Sequence, residues 1–213
     1  MSYIEILILR NLSRRPAHGY ELRKRVEAVT GVVLNNNSLY PALRRFEEAG
    51  AVTRTAEEQP GRPPRQVYEL TDVGRSLLHD LLADLPPESA KDETEFLTRL
   101  GQFSYLTRPE RMAVLDARAA ALGEQLTRLA ALRDRSEGER WSTLVTAELS
   151  ARAERERNWL EGLRGLAADA PRLAADGPRL AADDPRLAAD DPQPAPHSPQ
   201  LAPDGPERGQ DRR

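Results

Sequence analysis

Cysteine is absent from all 213 residues, which excludes disulfides, thiolate metal sites and cysteine nucleophiles and makes a reducing, cytoplasmic setting the expected one. Long apolar runs are absent too, and nothing approaches the ~20 residues that a membrane-crossing helix needs. The apolar segment Ile4, Ile6, Leu7, Ile8 and Leu9 is interrupted by Glu5 and stopped by Arg10. Without a basic leader or a small-residue cleavage site, it predicts a buried helix rather than a signal peptide. There is no Gly-rich phosphate loop, no metal-ligand His pair and no nucleophile elbow. The expectation is a protein that is not an enzyme, with no catalytic residue, no metal and no cofactor.

The net charge of −3 is unevenly spread. Residues 1–56 hold nine Lys/Arg against five Asp/Glu, a net +4, while residues 167–213 hold six against nine, a net −3. Residues 85–166 are close to neutral, at −1. A basic N-terminal region of this size attracts a polyanion weakly as one copy and better as two.

Apolar spacing divides the basic region into helices. Ile4, Leu7, Ile8 and Leu12 predict a helix over 3–14 that ends before Pro16, and Leu22, Val26 and Val29 predict a second, closed by Gly31. Asn35, Asn36, Asn37 and Ser38 form a run of N-cap residues for a third helix. Pro41 is tolerated only near a helix start, so that helix begins at about residue 37. Leu39, Leu43 and Phe46 form its core stripe, Pro41, Arg44, Arg45 and Glu48 lie opposite, and Gly50 closes it.

Residues 51–57 and 66–70 read as two strands of a hairpin. Pro60-Gly61-Arg62-Pro63-Pro64 between them is too proline-rich to continue a ladder and is assigned to the turn. Thr71 and Asp72 cap a fourth helix, on which Leu77, Leu78, Leu81, Leu82 and Leu85 make a broad apolar face. Pro86-Pro87 breaks it. Helix, capped basic helix, strand, turn, strand and helix in that order describe a winged helix-turn-helix, which sets one helix in the DNA major groove and a loop beside it.

Beyond Pro86-Pro87, residues 95–106 predict a helix or a pair of short turns. Pro109 starts a long helix running to about residue 135, with Leu115, Ala119, Leu122, Leu126, Leu129 and Leu132 as a narrow seam. Ser136-Glu137-Gly138 interrupts it. A last helix over 139–166 carries Trp141, Leu144, Val145, Leu149, Trp159, Leu160 and Leu163. Two long helices joined by a short turn predict an antiparallel hairpin. The seam on the first of them has little to bury against within one chain, which points to a second copy. From Asp169 the motif Pro-Arg-Leu-Ala-Ala-Asp-(Gly/Asp) repeats three times. A proline in every repeat forbids a continuous helix, and one leucine in seven buries too little to offset chain entropy, so a disordered tail is expected.

The fold expected from these readings is mainly α: a winged helix-turn-helix DNA-binding domain over 1–85, a helical dimerisation and effector domain over 86–168 built on the antiparallel hairpin, and a disordered tail over 169–213.

His18-Gly19-Tyr20-Glu21-Leu22, Ser38-Leu39-Tyr40-Pro41-Ala42-Leu43, Gly50, Pro63-Pro64-Arg65 and Tyr68-Glu69-Leu70-Thr71 with Gly74 resemble the signature of PadR-family transcriptional regulators. The likeness covers residues 4–85, and the long helices to about residue 166 are similar in layout to that family's dimerisation region. Asn35-Asn36-Asn37 departs from it, since many relatives carry a Ser-Pro-Gly type of turn there, and this leaves the base preference open. The resemblance implies a homodimeric repressor on a palindromic operator, often released by a small aromatic or drug-like effector.

From their chemistry, Asn36, Asn37, Ser38 and Tyr40 are candidates to reach base edges or the nearest phosphate, with simple helix capping as the alternative for the first three. Arg44 and Arg45 are candidate phosphate clamps, against a plain pairing with Glu48 on a solvated face. Arg62 and Arg65 flank the wing tip and suit a minor-groove or phosphate contact, or only a solvent-exposed turn. His18, with no carboxylate at a recognisable spacing, reads as a structural cap, and Tyr20, Phe46 and Tyr68 read as core. Trp141 and Trp159 either fill a helix interface or line an effector pocket.

The expected partners are double-stranded DNA, a second copy of the chain and a small aromatic effector, with no membrane. A winged-helix module that docks a protein and has no specific DNA site is the competing reading.

Overall fold

A computed structural model of the chain describes residues 3–31, 34, 36–59, 62–135 and 139–170. The predicted turn at Pro60-Gly61, the interruption at 136–138 and the tail from residue 171 lie outside the described residues, as do the side chains of Val29, Asn36 and Arg62.

Helix α1 (Tyr3–Leu12) is the central post of the fold. Residues 5–9 are all buried, so it is covered on every side, as its apolar run predicts. After it come strand β1 (Ala17–His18) and helices α2 (Gly19–Thr30) and α3 (Asn36–Glu48). Gly31 ends α2 in the left-handed region at φ 66°, and its N–H donates to the Glu27 carbonyl at 2.8 Å. In α3, Leu39, Leu43 and Phe46 are buried as expected, and Ala42 joins them. Pro41 falls inside the helix, in its second turn, deeper than the first-turn position expected of it. The Asn37 carbonyl therefore gains no amide partner from residue 41.

Strands β2 (Val52–Gln59) and β3 (Arg62–Leu70) pair antiparallel, and β1 joins the far side of β3 to give a three-stranded sheet in the order β1-β3-β2. Two expectations are corrected here. Pro63 and Pro64 belong to β3 rather than to the turn, and the two-residue strand β1 was not foreseen. β1 pairs only with residues 67 and 68, so the front of β3 has β2 as its single neighbour. The β2–β3 register also slips between Glu57 and Gln59. Prolines are tolerated at such an edge and irregularity because few ladder bonds are asked of them.

Helix α4 (Asp72–Ala83) starts where predicted. Thr71 Oγ accepts from the Gly74 N–H at 3.1 Å and donates to the Gly50 carbonyl at 2.7 Å, so one side chain caps α4 and ties it to the end of α3. Beyond Pro86 come a single turn, α5 (Pro87–Ala90), then α6 (Glu93–Leu100) and a 3-10 turn (Phe103–Tyr105). The long helices α7 (Arg108–Arg135) and α8 (Arg140–Asp169) run antiparallel. Arg111 reaches the Ala167 carbonyl, Arg118 reaches Glu156 and Arg164 reaches Asp116, so rising numbers on one helix meet falling numbers on the other.

The seam expected to await a second copy is instead mostly filled from within. Leu115, Leu122 and Leu129 are buried, and only Leu132 of that set is exposed. The partner is a line of α8 residues seven apart, Thr146, Ala153, Leu160 and Ala167, all buried. Three of the four side chains, those of Thr146, Ala153 and Ala167, are small. Most of the large apolar residues of α8, namely Trp141, Leu144, Val145, Leu149, Trp159 and Leu166, are left exposed. One apolar core runs without a break from Ile6 through Leu82 and Phe96 to Leu160, across Pro86-Pro87. Among the described residues no helix is long and apolar enough to cross a membrane.

Candidate nucleic-acid interface

Helix α3 turns Leu39, Ala42, Leu43 and Phe46 to the core, and the rest of its surface therefore faces outward. Asn37, Tyr40, Pro41, Arg44, Arg45 and Glu48 are exposed and Ser38 is half-buried. Asn36 opens the helix. A Cβ added at Gly19 would sit 3.1 Å from the Tyr40 ring, so the glycine of the His18-Gly19-Tyr20 motif is the space into which Tyr40 leans.

Beside Tyr40, a cleft of about 350 Å³ opens between α3 and the sheet, lined by Tyr40, Arg44, Glu47, Glu48, Arg54 and Tyr68. Arg54 stands opposite Tyr68 in the β2–β3 register and its Nε lies 3.1 Å from Glu47. Burial pushes the Tyr68 phenol above its ordinary pKa, against the opposing pull of the Arg54 guanidinium. Two arginines and two glutamates nearly cancel in the cleft. It offers hydrogen-bonding groups of both kinds rather than bulk positive charge. Arg54 was missed in the sequence. Its signal is the two-residue period of the strand, which puts it on the same face as buried Val52 and beside the end of α3.

The structure separates the two adjacent arginines of α3. Arg44 lines the cleft, whereas Arg45 Nη2 lies 2.6 Å from the Glu5 carboxylate of α1. The sequence offered Glu48 as the competing partner; the carboxylate found at Arg45 is Glu5, forty positions away. Arg65 is exposed on the wing, opposite Glu57, while Arg62 opens β3 opposite Gln59.

On α2, Tyr20 is half exposed rather than core, with Lys24 Nζ 5.0 Å and the Arg23 guanidinium 5.4 Å from its ring centre. These cations add to the same N-terminal module. Phe46 and Tyr68 are buried, as expected. His18 does have a carboxylate nearby, supplied by the wing: its Nε2 is 3.5 Å from Glu57, and its Nδ1 is 3.2 Å from the Gln66 carbonyl. Its own N–H donates to Glu21 at 3.1 Å. All of this pins β1 and α2 to the sheet and assembles no acid–base pair with a nucleophile.

Trp141 and Trp159 are not brought together. Eighteen positions of one helix separate them, about 27 Å along its axis. Trp141 is 76% exposed, and Trp159 is 45% exposed with its ring edge-on to Phe96 at 6.3 Å. A smaller apolar cavity of about 150 Å³ lies elsewhere, lined by Leu100, Phe103, Arg111, Leu163 and Leu166 among others, and includes neither tryptophan. Among the described residues no cluster of His, Asp and Glu is placed to hold a metal ion.

Residues 8–80 match the transcriptional regulator PadR-like family. The solved structure of a PadR family transcriptional regulator from Eggerthella lenta is 37% identical over 37% of this chain and 68% of its own, with a TM-score of 0.34. An uncharacterized 37.1 kDa protein in transposon TN4556 of Streptomyces fradiae is 35% identical over 127 residues, 56% of this chain and 35% of that protein. The negative transcriptional regulator PadR of Bacillus subtilis is 29% identical over 114 residues, 52% of this chain and 62% of its own. The structure of Bacillus subtilis PadR in complex with operator DNA aligns with 78% of this chain and 98% of its own at 21% identity, with a TM-score of 0.39. This chain spans about a third of the first of these curated relatives and under two thirds of the second.

Proposed function

This chain belongs to the PadR-like family of transcriptional regulators, and we propose that it acts in the cytoplasm as a homodimeric repressor on an imperfectly palindromic operator. It is a regulator by family and not an enzyme. The observation that carries the finer reading is α3, whose apolar side is sealed in the core while Asn37, Tyr40, Arg44 and Arg45 stand exposed along its outer surface. Two such helices, one per copy, enter successive major grooves about one helical turn apart. Residues 1–85 read the DNA and residues 86–168 pair the copies. The likeness to the negative transcriptional regulator PadR of Bacillus subtilis, 29% identical over 114 residues, supports this reading.

Within the module, Asn37 and Tyr40 reach base edges together with Asn36 and Ser38. Arg44 and Arg54 hold the backbone beside the cleft, and Arg62 and Arg65 follow it along the wing. Selection of bound sequences from a random DNA pool tests this directly and supplies the operator. On that operator, Arg44→Ala should weaken binding to every sequence. The slope of log affinity against log salt should become shallower by roughly 2, one phosphate contact per copy. An unchanged slope would remove Arg44 from the interface.

Pairing falls to the exposed face of α8. Trp141, Val145 and Leu149 recur every four residues on it and leave a contiguous apolar strip in water, the usual mark of an association surface. Val145→Glu should convert the sedimenting species from dimer to monomer at micromolar concentration, with the helical content kept. A dimer of unchanged stability would move the interface elsewhere. Release follows if a small aromatic effector binds between the paired long helices and alters the spacing of the two α3 helices. Trp159 is the aromatic we assign to that contact, with Trp141 serving the interface. The selection experiment repeated with a panel of small aromatic compounds tests the effector.

A further inference from the structure

Arg44 and Arg45 are neighbours in sequence and both are exposed, yet they sit in unlike surroundings. Successive helical positions are about 100° apart, so the two guanidiniums leave α3 on different sides. Arg44 faces the cleft beside β2, and Arg45 faces α1. There the Nη2–Oε1 distance to Glu5 is 2.6 Å, with Arg45 59% exposed at its side chain and Glu5 only 8%.

The acidic end of this pair is built into the fold. Glu5 lies in the first turn of α1, between core residues, where the positive end of the helix dipole favours a carboxylate. That turn is held in turn by α6, since Glu95 accepts the Tyr3 N–H at 2.6 Å. A carboxylate held this firmly has little freedom. An exposed arginine without an anchor spreads over many rotamers and must be ordered when it meets DNA. One carboxylate contact leaves donors over, because a guanidinium carries five N–H groups.

We propose that Glu5 is a positioning residue for DNA binding: it holds the Arg45 guanidinium at the flank of α3 with its remaining donors presented to a backbone phosphate. The inference rests on the DNA-binding reading above. The opposite effect is also physical. Glu5 carries a negative charge whose burial weakens its screening by salt, and if neutralisation of Arg45 dominates, Glu5 lowers affinity for a polyanion. The two effects differ in sign, which makes the experiment decisive.

Operator affinity of the full-length chain is measured by fluorescence anisotropy on the selected site, with Glu5→Gln made in the parent and in Arg45→Ala. Positioning predicts that Glu5→Gln weakens binding roughly tenfold, the size of one charge-assisted hydrogen bond. In the Arg45→Ala background the same change should do nothing further. Binding that is unchanged or tighter overturns the proposal. So does an equal loss in both backgrounds, since Glu5 would then act through the fold and not through Arg45. Arg45→Lys gives an independent arm that leaves Glu5 in place: it keeps the charge but not the planar fork. Retained affinity in Arg45→Lys overturns the proposal, and a loss comparable to Arg45→Ala supports it. Should the parent chain select no DNA at all, the DNA-binding reading itself fails and this inference falls with it.

Discussion

Arg99→Ala should lower the thermal midpoint by roughly 10 °C, as a cost of about 3–5 kcal/mol spread over a chain of this size implies. Arg99 is 2% exposed and makes bonds to three residues, Glu95, Leu81 and Asp84. Its Nη1 donates to the Glu95 carboxylate at 2.7 Å and to the Glu95 carbonyl at 2.9 Å, and its Nε lies 3.0 Å from both the Leu81 and Asp84 carbonyls. Leu81 is in the last turn of α4 and Asp84 is the residue after it, where carbonyls have no partners within the helix. One guanidinium thus closes α4 and neutralises a buried carboxylate, and the other oxygen of that carboxylate caps α1. Alanine would leave the buried Glu95 carboxylate without its cationic partner, keeping only the Tyr3 N–H, which is far costlier than losing a surface pair. A calorimetric or circular-dichroism melt decides it. A shift of under 3 °C would mean that water replaces the lost bonds and that this junction is looser than the geometry indicates.

The second large effect is expected at Gly74, in the first turn of α4. Helix propensity alone favours Gly→Ala there by about 1 kcal/mol. Sterics decide otherwise. A Cβ on Gly74 would stand 2.1 Å from the Ala51 carbonyl oxygen and 2.5 Å from Leu70 Cδ1. A backbone oxygen cannot step aside as a side chain can. The first turn of α4 would have to lift, loosening the Thr71 cap and the 3.1 Å bond from the Thr71 N–H to the Ala51 carbonyl. Overpacking of this kind with loss of a cap costs about 2–4 kcal/mol, which outweighs the propensity gain. Gly123 in α7 is the matched control. Nothing lies within 4 Å of a Cβ added there, so Gly123→Ala should stabilise by about 0.5–1 kcal/mol. Opposite signs in denaturant titrations of the two variants are the expected result. Two stabilising changes would show that α4 does not press on Ala51.

What the sequence made legible was periodic or local. The stripe Leu39, Leu43 and Phe46, the Thr71 cap and the Gly31 stop all follow from rules spanning four residues or fewer, and each was found where expected. Strand β1 is two residues long and too short to show any period. Pro63 and Pro64 enter β3 because β1 covers only the far end of that strand, a fact of tertiary pairing that no window of sequence contains. The α7 seam was read correctly as apolar. Its partner was not, because α8 answers it with Ala153 and Ala167, which carry almost no hydrophobic signal, while its conspicuous tryptophans stay outside. On the proposed DNA-binding surface, the exposure of Asn37, Tyr40 and Arg44 is legible from α3 alone. The Glu5–Arg45 pair joins residues 40 positions apart, and nothing short of the folded chain reveals it.

The hydrophobic interior continues through Pro86-Pro87 with no gap between the winged module and the long helices. If the chain pairs as proposed, each copy acts mechanically as a stiff lever, because the core is continuous where Pro86-Pro87 ends the winged module. In the proposed dimer the compliant joint would then lie where the two levers meet along α8. A ligand that loosens the grip on DNA would do so by rocking whole protomers against each other, and the reach from α8 to α3 would turn a small tilt into a large mismatch with the groove spacing.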